Sequence, residues 1–319
     1  LSLYEKLKDR SSAIFTYTLT PPSLSSIDAE LEKRVNHLKR FIRDVPIDAI
    51  NIPEVRDENR NRRVTKFDPK IEPRKFAKLL GAHLPEPLDY IVDRGVVYEA
   101  WRAQQAWLKS SLQEFEMRNL LLVGGESSGN SYAGPSVEEA TRLIRAEYPD
   151  FENLTIGAIT IPTRRHDSDK IDEPDRLINK SKNGIEYFIS QVLFEAESSI
   201  SLIKDYSVAA NKENIVPKRI LLSFAPVSTE RDIEFLKWWD VLIPEETSKY
   251  LLSHDSEILD KSIKVSKSIL GKILQFVVSN NIEIPLGINI EHVFKRNLEY
   301  AIRLANELYP IYNGYVQEL

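Results

Sequence analysis

Residues 119–160 read NLLLV, GGESSGNSYAGP, SVEEATRLIRAEY, PDFEN and LTIGAIT in succession. The first and last of these segments are short apolar runs. Between them, Val137, Ala140, Leu143 and Ile144 recur at helical spacing, and Gly134-Pro135 followed by Ser136-x-x-Glu139 has the form of a helix start with a capping box. A strand, a helix and a second strand in so short a span form a crossover unit, which requires the two strands to lie parallel.

The same alternation extends in both directions. Apolar, largely β-branched runs at 13–19, 48–52, 88–92, 119–123, 154–160, 185–193, 219–224 and 285–290 predict eight strands, separated by stretches with helical periodicity. Eight such units predict an α/β fold, a (β/α)8 TIM barrel, and 319 residues is an ordinary length for one. With no internal repeat, low-complexity segment or shift in composition, residues 1–319 are expected to form a single domain. Residues 54–73, rich in charge, Asn and Pro, predict a long loop over the active face. Residues 247–281 exceed one crossover helix and predict either two helices or one extended helical insertion leaving the barrel wall, suited to a lid, a homo-oligomer contact or a partner subunit.

Composition narrows the function classes. The chain carries 43 Lys and Arg against 48 Asp and Glu, a net charge of -5, which provides no field for a nucleic-acid backbone. It is 42% hydrophobic and 29% charged, as a globular protein is. The absence of cysteine excludes disulfides, thiolate metal sites and a cysteine nucleophile. The five histidines, His37, His83, His166, His254 and His292, show no metal-ligand spacing, so no metal is expected. No leader-like start and no membrane-length apolar run is found, which predicts a cytoplasmic protein without membrane contact. Few glycines and many charges lean towards a heat-adapted protein.

In a barrel of this kind chemistry collects where the strands end. Those positions carry Thr18-Leu19-Thr20-Pro21-Pro22, Gly124-Gly125-Glu126-Ser127-Ser128, Pro162-Thr163-Arg164-Arg165-His166, Gln191 with Glu195, Pro226-Val227-Ser228, and Glu291-His292. Gly124 and Gly129 form a GxxxxG, but Asn130-Ser131 stands where a phosphate-binding loop needs Lys-Ser or Lys-Thr.

The Pro21-Pro22 turn, the Gly-Gly-Glu turn, Ser190-Gln191-Val192-Leu193-Phe194-Glu195, Pro226-Val227-Ser228 and Tyr300-Ala301-Ile302 follow in an order that resembles the methylenetetrahydrofolate reductases. The resemblance covers nearly the whole chain. The segments 157–164 and 220–224 are closer to the flavin-independent branch of that family. The resemblance implies reduction of a methylene-tetrahydropterin to its methyl form in one-carbon metabolism. The partner would be a folate or modified pterin, and the hydride would come from NADH or NADPH. The fourth strand end lacks an arginine before its glycines and the third strand lacks a histidine, which argues against tight FAD binding.

The resemblance also implies roles for single residues. Gln191 matches the glutamine that contacts the pterin, an amide able to donate to and accept from the ring edge; its other reading is a strand amide bonded to neighbouring backbone. Glu126 would pair with the amino-pyrimidine edge or act as an acid, or it is a cap in an exposed turn. Glu195 stands near an acidic family position and equally suits a helix start. Thr18, Thr20 and Ser228 would line the substrate. Gly124, Gly125, Thr163 and Arg164 would approach the nicotinamide cofactor; the Arg164-Arg165-His166 cluster suits its diphosphate or the glutamate tail of a folate, although Asp167, Asp169 and Asp172 could instead neutralise it. His292 beside Glu291 reads as a proton relay or as a capping pair. Trp101, Trp107, Trp238 and Trp239 read as packing residues outside the site.

One departure is chemical. The family's general acid is a glutamate three residues before the Pro-Pro pair, and this chain has Thr18 there. A hydroxyl donates a hydrogen bond but does not deliver a proton near neutral pH as a tuned carboxylic acid does. Glu291 and Glu126 are the candidates to replace it. The competing reading is a non-catalytic or methyl-transfer barrel that keeps the pterin cavity and acts with a partner protein.

Overall fold

The computed structural model describes residues 1–60, 63–125, 131–149, 151, 153–164 and 171–318. Eight parallel strands form a closed barrel: β1 (Phe15–Leu19), β2 (Ala49–Ile52), β3 (Asp89–Gly95), β4 (Asn119–Val123), β5 (Thr155–Thr160), β6 (Tyr187–Val192), β7 (Arg219–Phe224) and β8 (Leu286–His292). Each pairs with its neighbours in sequence, and β8 pairs back onto β1. The chain is therefore a (β/α)8 TIM barrel.

Two strands run further than their apolar runs. β3 continues past residue 92 to Gly95, and β8 past residue 290 to His292. Both extensions carry charged side chains, which interrupt an apolar pattern but not the backbone ladder: Asp93 pairs in register with Leu121, and Glu291 with Thr18. Asp93 and Glu291 are thus strand residues, held by the sheet.

A short helix, α1 (Leu3–Lys8), precedes β1. Ser2 and Glu5 cap it reciprocally, the Leu3 N–H donates to Asp89 Oδ2 at 2.6 Å, and Leu3 is buried at the N-terminal end of the barrel. The crossover helices are α2 (Ile27–Asp44), α3 (Pro73–His83), α4 (Trp101–Gln113), α5 (Val137–Glu147), α6 (Glu173–Lys182), α7 (Glu197–Lys212) and α8 (Glu230–Trp238). They are followed by α9 (Glu245–Leu252), α10 (Ile258–Ser279) and α11 (Leu298–Gln317). At the start of α5 the Ser136 hydroxyl accepts the Glu139 N–H at 3.1 Å, so the serine half of the anticipated box forms. Residues 247–281 hold most of α9, a 3-10 turn and α10. Ile269, Leu270, Ile273, Leu274 and Val277 of α10 join the main core, and α10 packs on α7 and α11. The segment is therefore part of the barrel wall. Within the anticipated 54–73 loop, Glu58–Arg60 and Arg63–Thr65 pair as a small antiparallel ribbon. Among the described residues no helix is long and apolar enough to cross a membrane.

Alternation along the strands divides the interior in two. Ala49, Ile91, Leu121, Tyr187, Ile189 and Leu221 pack inside the lower barrel on Leu3 and Ile14. Gly157 makes room for one of them: a Cβ there would lie 2.4 Å from the Tyr187 ring. Towards the C-terminal ends the inward positions become polar.

Candidate functional site

The polar layer spans five adjacent strands, β7, β8, β1, β2 and β3. Thr16 and Thr18 both donate to Asn289 Oδ1 at 3.0 Å, and Asn51 Nδ2 donates to Thr18 Oγ1 at 3.3 Å. Asn289 Nδ2 in turn reaches Ser223 Oγ at 3.0 Å and Glu291 Oε1 at 3.3 Å. Thr18, Asn51, Asp93, Ser223 and Asn289 are buried, whereas Glu291 keeps part of its surface open to the mouth. The belt carries one carboxyl group on β8 and another on β3.

Neither carboxyl is ordinary. Burial pushes Glu291 up to about 7, against the opposing pull of hydrogen bonds from Ser223 and Asn289. Burial, then the charges of Glu291 and Glu54, push Asp93 well above the usual carboxylate range, and a hydrogen bond from Asn51 opposes this. Asp93 Oδ1 and Asn51 Oδ1 are both buried without a hydrogen-bond partner. Burial and the neighbouring charges thus favour the neutral acid at Asp93.

The register places Glu291 directly beside Thr18. Glu291 thus stands at the same height as Thr18, on the adjacent strand. Glu126 lies outside the described residues, as do Arg165 and His166. His292 does not form a relay with Glu291, because successive strand residues face opposite sides. Its ring turns towards α2, where burial and the charge of Arg34 lower it to about 4. Thr20 Oγ1 donates to the His292 carbonyl at 2.8 Å, at the junction of β1 and β8.

Gln191 points across the mouth, its Nε2 3.4 Å from the carbonyl oxygen of Trp239. Trp239 ends α8, and its indole N–H donates to Glu58 Oε1 at 3.3 Å on the ribbon after β2. Trp239, read as a packing residue outside the site, does pack against a core cluster, and it also joins Gln191 to the ribbon. Glu54, just beyond β2, accepts the Gly95 N–H at 2.8 Å and Arg94 Nη1 at 2.9 Å, bracing the end of β3 next to Asp93.

Other anticipated site residues are engaged within the protein. Glu195 Oε2 accepts the Ser198 N–H at 2.9 Å, the helix-start alternative. The Ser228 hydroxyl donates to Asn297 Oδ1 at 2.8 Å and its N–H to Asp232 Oδ2 at 2.8 Å, fixing the start of α8. Arg164 Nη1 pairs at 2.9 Å with Glu173, a buried carboxylate that also accepts from Thr160 and the Ile161 N–H. Gly125 admits the Tyr132 ring, which would lie 2.1 Å from a Cβ, while Gly124 meets Val137 at ordinary contact distance. Thr163 is half-buried in the turn after β5. Of the four residues expected at a nicotinamide cofactor, Arg164 is thus ion-paired and the space beside Gly125 is filled by a ring. Among the described residues no three His, Asp or Glu side chains gather as metal ligands.

Asn51, Asp93, Ser223 and Asn289 were not anticipated. A signal for Asn51, Ser223 and Asn289 existed: each is a polar residue inside an otherwise apolar strand, at an inward-facing position of the two-residue alternation, whereas Asp93 follows the apolar run of its strand.

No protein-family model matches the sequence, and no curated protein matches it. Among solved structures, the chain is similar to an uncharacterized protein from Clostridium thermocellum that binds two copies of 5-methyl-5,6,7,8-tetrahydrofolic acid. The TM-score is 0.77 and the identity 25%, over 97% of this chain and 99% of that one. It shares its fold alone with the EDTA monooxygenase EmoA of Chelativorans sp. BNC1, at a TM-score of 0.51 and 11% identity over 95% and 94% of the two chains.

Proposed function

We propose that the barrel mouth binds a reduced, folate-type pterin and that the protein is a methylenetetrahydrofolate reductase-like oxidoreductase, taking a methylene-tetrahydropterin to its methyl form. The observation that carries this reading is the pairing of Thr18 with Glu291. A carboxyl group at about 7 stands beside the position where the resembled family has its acid. The similarity to a 5-methyl-tetrahydrofolate-binding barrel supports the ligand class.

The chain's own residues account for two tasks. The belt presents amide, hydroxyl and carboxyl groups along one arc, suited to the alternating donors and acceptors of an aminopyrimidinone edge. A neutral Asp93 offers both a donor and an acceptor there. Glu291, protonated below about 7, holds the proton that a bridging nitrogen must receive as the methylene carbon is released from it. Reduction also requires a hydride, which NADH or NADPH supplies when bound. No step is assigned to Gly124, Gly125, Thr163 or Arg164.

A second reading, a pterin-binding or methyl-transfer barrel acting with a partner, is favoured by the engagement of Arg164 with Glu173 and of Gly125 with Tyr132. Calorimetric titration with 5-methyl-tetrahydrofolate, followed by an anaerobic NADPH assay with the methylene form, separates the two. The reductase reading expects binding weakened by Gln191→Ala and turnover reduced ~10²- to 10⁴-fold by Glu291→Gln. Binding without turnover supports the second reading, and absence of binding refutes both.

A further inference from the structure

The ladder between β6 and β7 carries an extra residue. Tyr187, Phe188 and Ile189 stand opposite Arg219, Ile220 and Leu221, but the next pair is Val192 with Ser223, so three steps on β6 match two on β7. Among the described residues the other seven ladders of the barrel keep their register. Bulges are uncommon between parallel strands, and they concentrate at barrel rims and beside active sites, where they aim a side chain. The bulged segment here is Ser190-Gln191.

One side chain closes the gap that the bulge opens. In a regular parallel ladder the Ser223 N–H would donate to a backbone carbonyl of β6. It donates instead to Ser190 Oγ at 2.9 Å, and the same hydroxyl donates to the Gln191 carbonyl oxygen at 2.9 Å. Beyond the bulge the Leu193 N–H returns to the Ser223 carbonyl at 3.0 Å. Ser190 is 1% exposed, so it acts on a ligand only through its neighbours.

Those neighbours are the two arms of the site. The Gln191 amide is held loosely at its tip, 3.4 Å from the Trp239 carbonyl, which leaves its backbone to set where it stands. Ser223, whose N–H Ser190 takes, accepts from Asn289 Nδ2 at 3.0 Å through its own hydroxyl, and that amide also reaches Glu291.

We propose that Ser190 is a positioning residue: its hydroxyl holds the bulge in β6 that presents the Gln191 amide to the ligand, and anchors that bulge to the strand carrying Ser223. The role rests on the pterin reading for the identity of the ligand, whereas the bulge and its bonds stand without it. Without the hydroxyl, the Ser223 N–H must recruit a backbone carbonyl of β6, which draws the bulge towards a regular register and displaces Gln191.

The test is a double-mutant cycle, read by calorimetric titration of the full chain with 5-methyl-tetrahydrofolate. Gln191→Ala should weaken binding about tenfold and Ser190→Ala about fivefold, each the scale of one lost hydrogen bond. Because Ser190 acts through Gln191, the double variant should bind about tenfold more weakly than wild type, not the about fiftyfold of independent sites. Ser266→Ala removes another buried hydroxyl, one bonded within α10, and should leave affinity within about twofold, which separates positioning from a general loss of stability. If Ser190→Ala does not fold, Ser190→Cys, close in volume and a weak hydrogen-bond partner, completes the same cycle. Additive losses, or Ser190→Ala binding like wild type, overturn the positioning role and leave the pterin reading intact. Absence of binding by the wild type overturns the pterin reading and the role with it.

Discussion

Replacing Glu291 by Gln tests the central feature of the site through stability, with no assumption about the reaction. The carboxyl is raised from 4.5 to about 7 by burial. Below pH 4.5 it is neutral in the folded and unfolded chain alike and has no pH-linked effect. Between pH 4.5 and about 7 the unfolded chain releases this proton while the folded chain keeps it, so the wild type loses stability as pH rises. At 1.36 kcal/mol per pKa unit the loss amounts to about 3 kcal/mol, complete above pH 7. Glutamine has the same shape, its Oε1 can accept the Asn289 amide at the same place, and it does not ionise. Urea unfolding followed by tryptophan fluorescence should therefore show Glu291→Gln near wild type at pH 4.5 and about 2–3 kcal/mol more stable at pH 8. Part of that gain comes from Asp93, whose own upward shift includes the Glu291 charge. A difference curve that stays flat from pH 4.5 to 8 would refute the reasoning, since the carboxyl would then titrate alike in both states. A stabilised variant that has also lost turnover would place the destabilising group and the proton donor in one side chain.

Glu30 should behave in the opposite sense. It is buried, and although burial raises it, hydrogen bonds from Lys295 and Ser26 and the charge of Arg34 hold it at about 2. Its stabilisation is present above pH 4.5 and lost as pH falls towards 2. Glu30→Gln should thus cost about 2 kcal/mol at pH 7, discounted for the exposure of Lys295, and less at pH 3 in the same urea experiment. Gly157→Ala sets a methyl group against the Tyr187 ring and should lower stability by about 1–3 kcal/mol; an unchanged melting temperature would show that the ring moves freely. Arg164→Ala leaves the buried Glu173 short of its cation and should destabilise by about 1–2 kcal/mol, with NADPH affinity, measured by fluorescence, unchanged. A selective loss of NADPH binding would restore Arg164 to the cofactor site.

Much of the barrel is legible along the chain because the signals are local. A run such as 119–123 or 219–224 needs only its own apolar residues to read as a strand, and Ser136 with the Val137, Ala140 and Ile144 face needs only one helix. The signal weakens where charge enters a strand. Asp93 and Glu291 look like loop residues by hydropathy, because their burial is supplied by other strands rather than by their neighbours in sequence. Gln191 stands out in the sequence through the order of the motifs, and Glu291 through its place at a strand end. Thr18 was legible as a departure, but not what stands beside it.

By itself, the sequence determined the alternation of strands and helices, the parallel barrel that follows from it, and which residue types lie near the strand ends. Tertiary structure alone decided that Thr18 faces Glu291, that Asp93 shares its charge and hydrogen bonding with Asn51 and Glu291, that Arg164 and Gly125 are engaged inside the protein, and that Ser190 takes the Ser223 N–H at a bulge. The reason is physical. Periodicity and capping are properties of a few consecutive residues, whereas a pKa, a close approach or a cross-strand bond depends on atoms brought together from distant parts of the chain only once the barrel has closed.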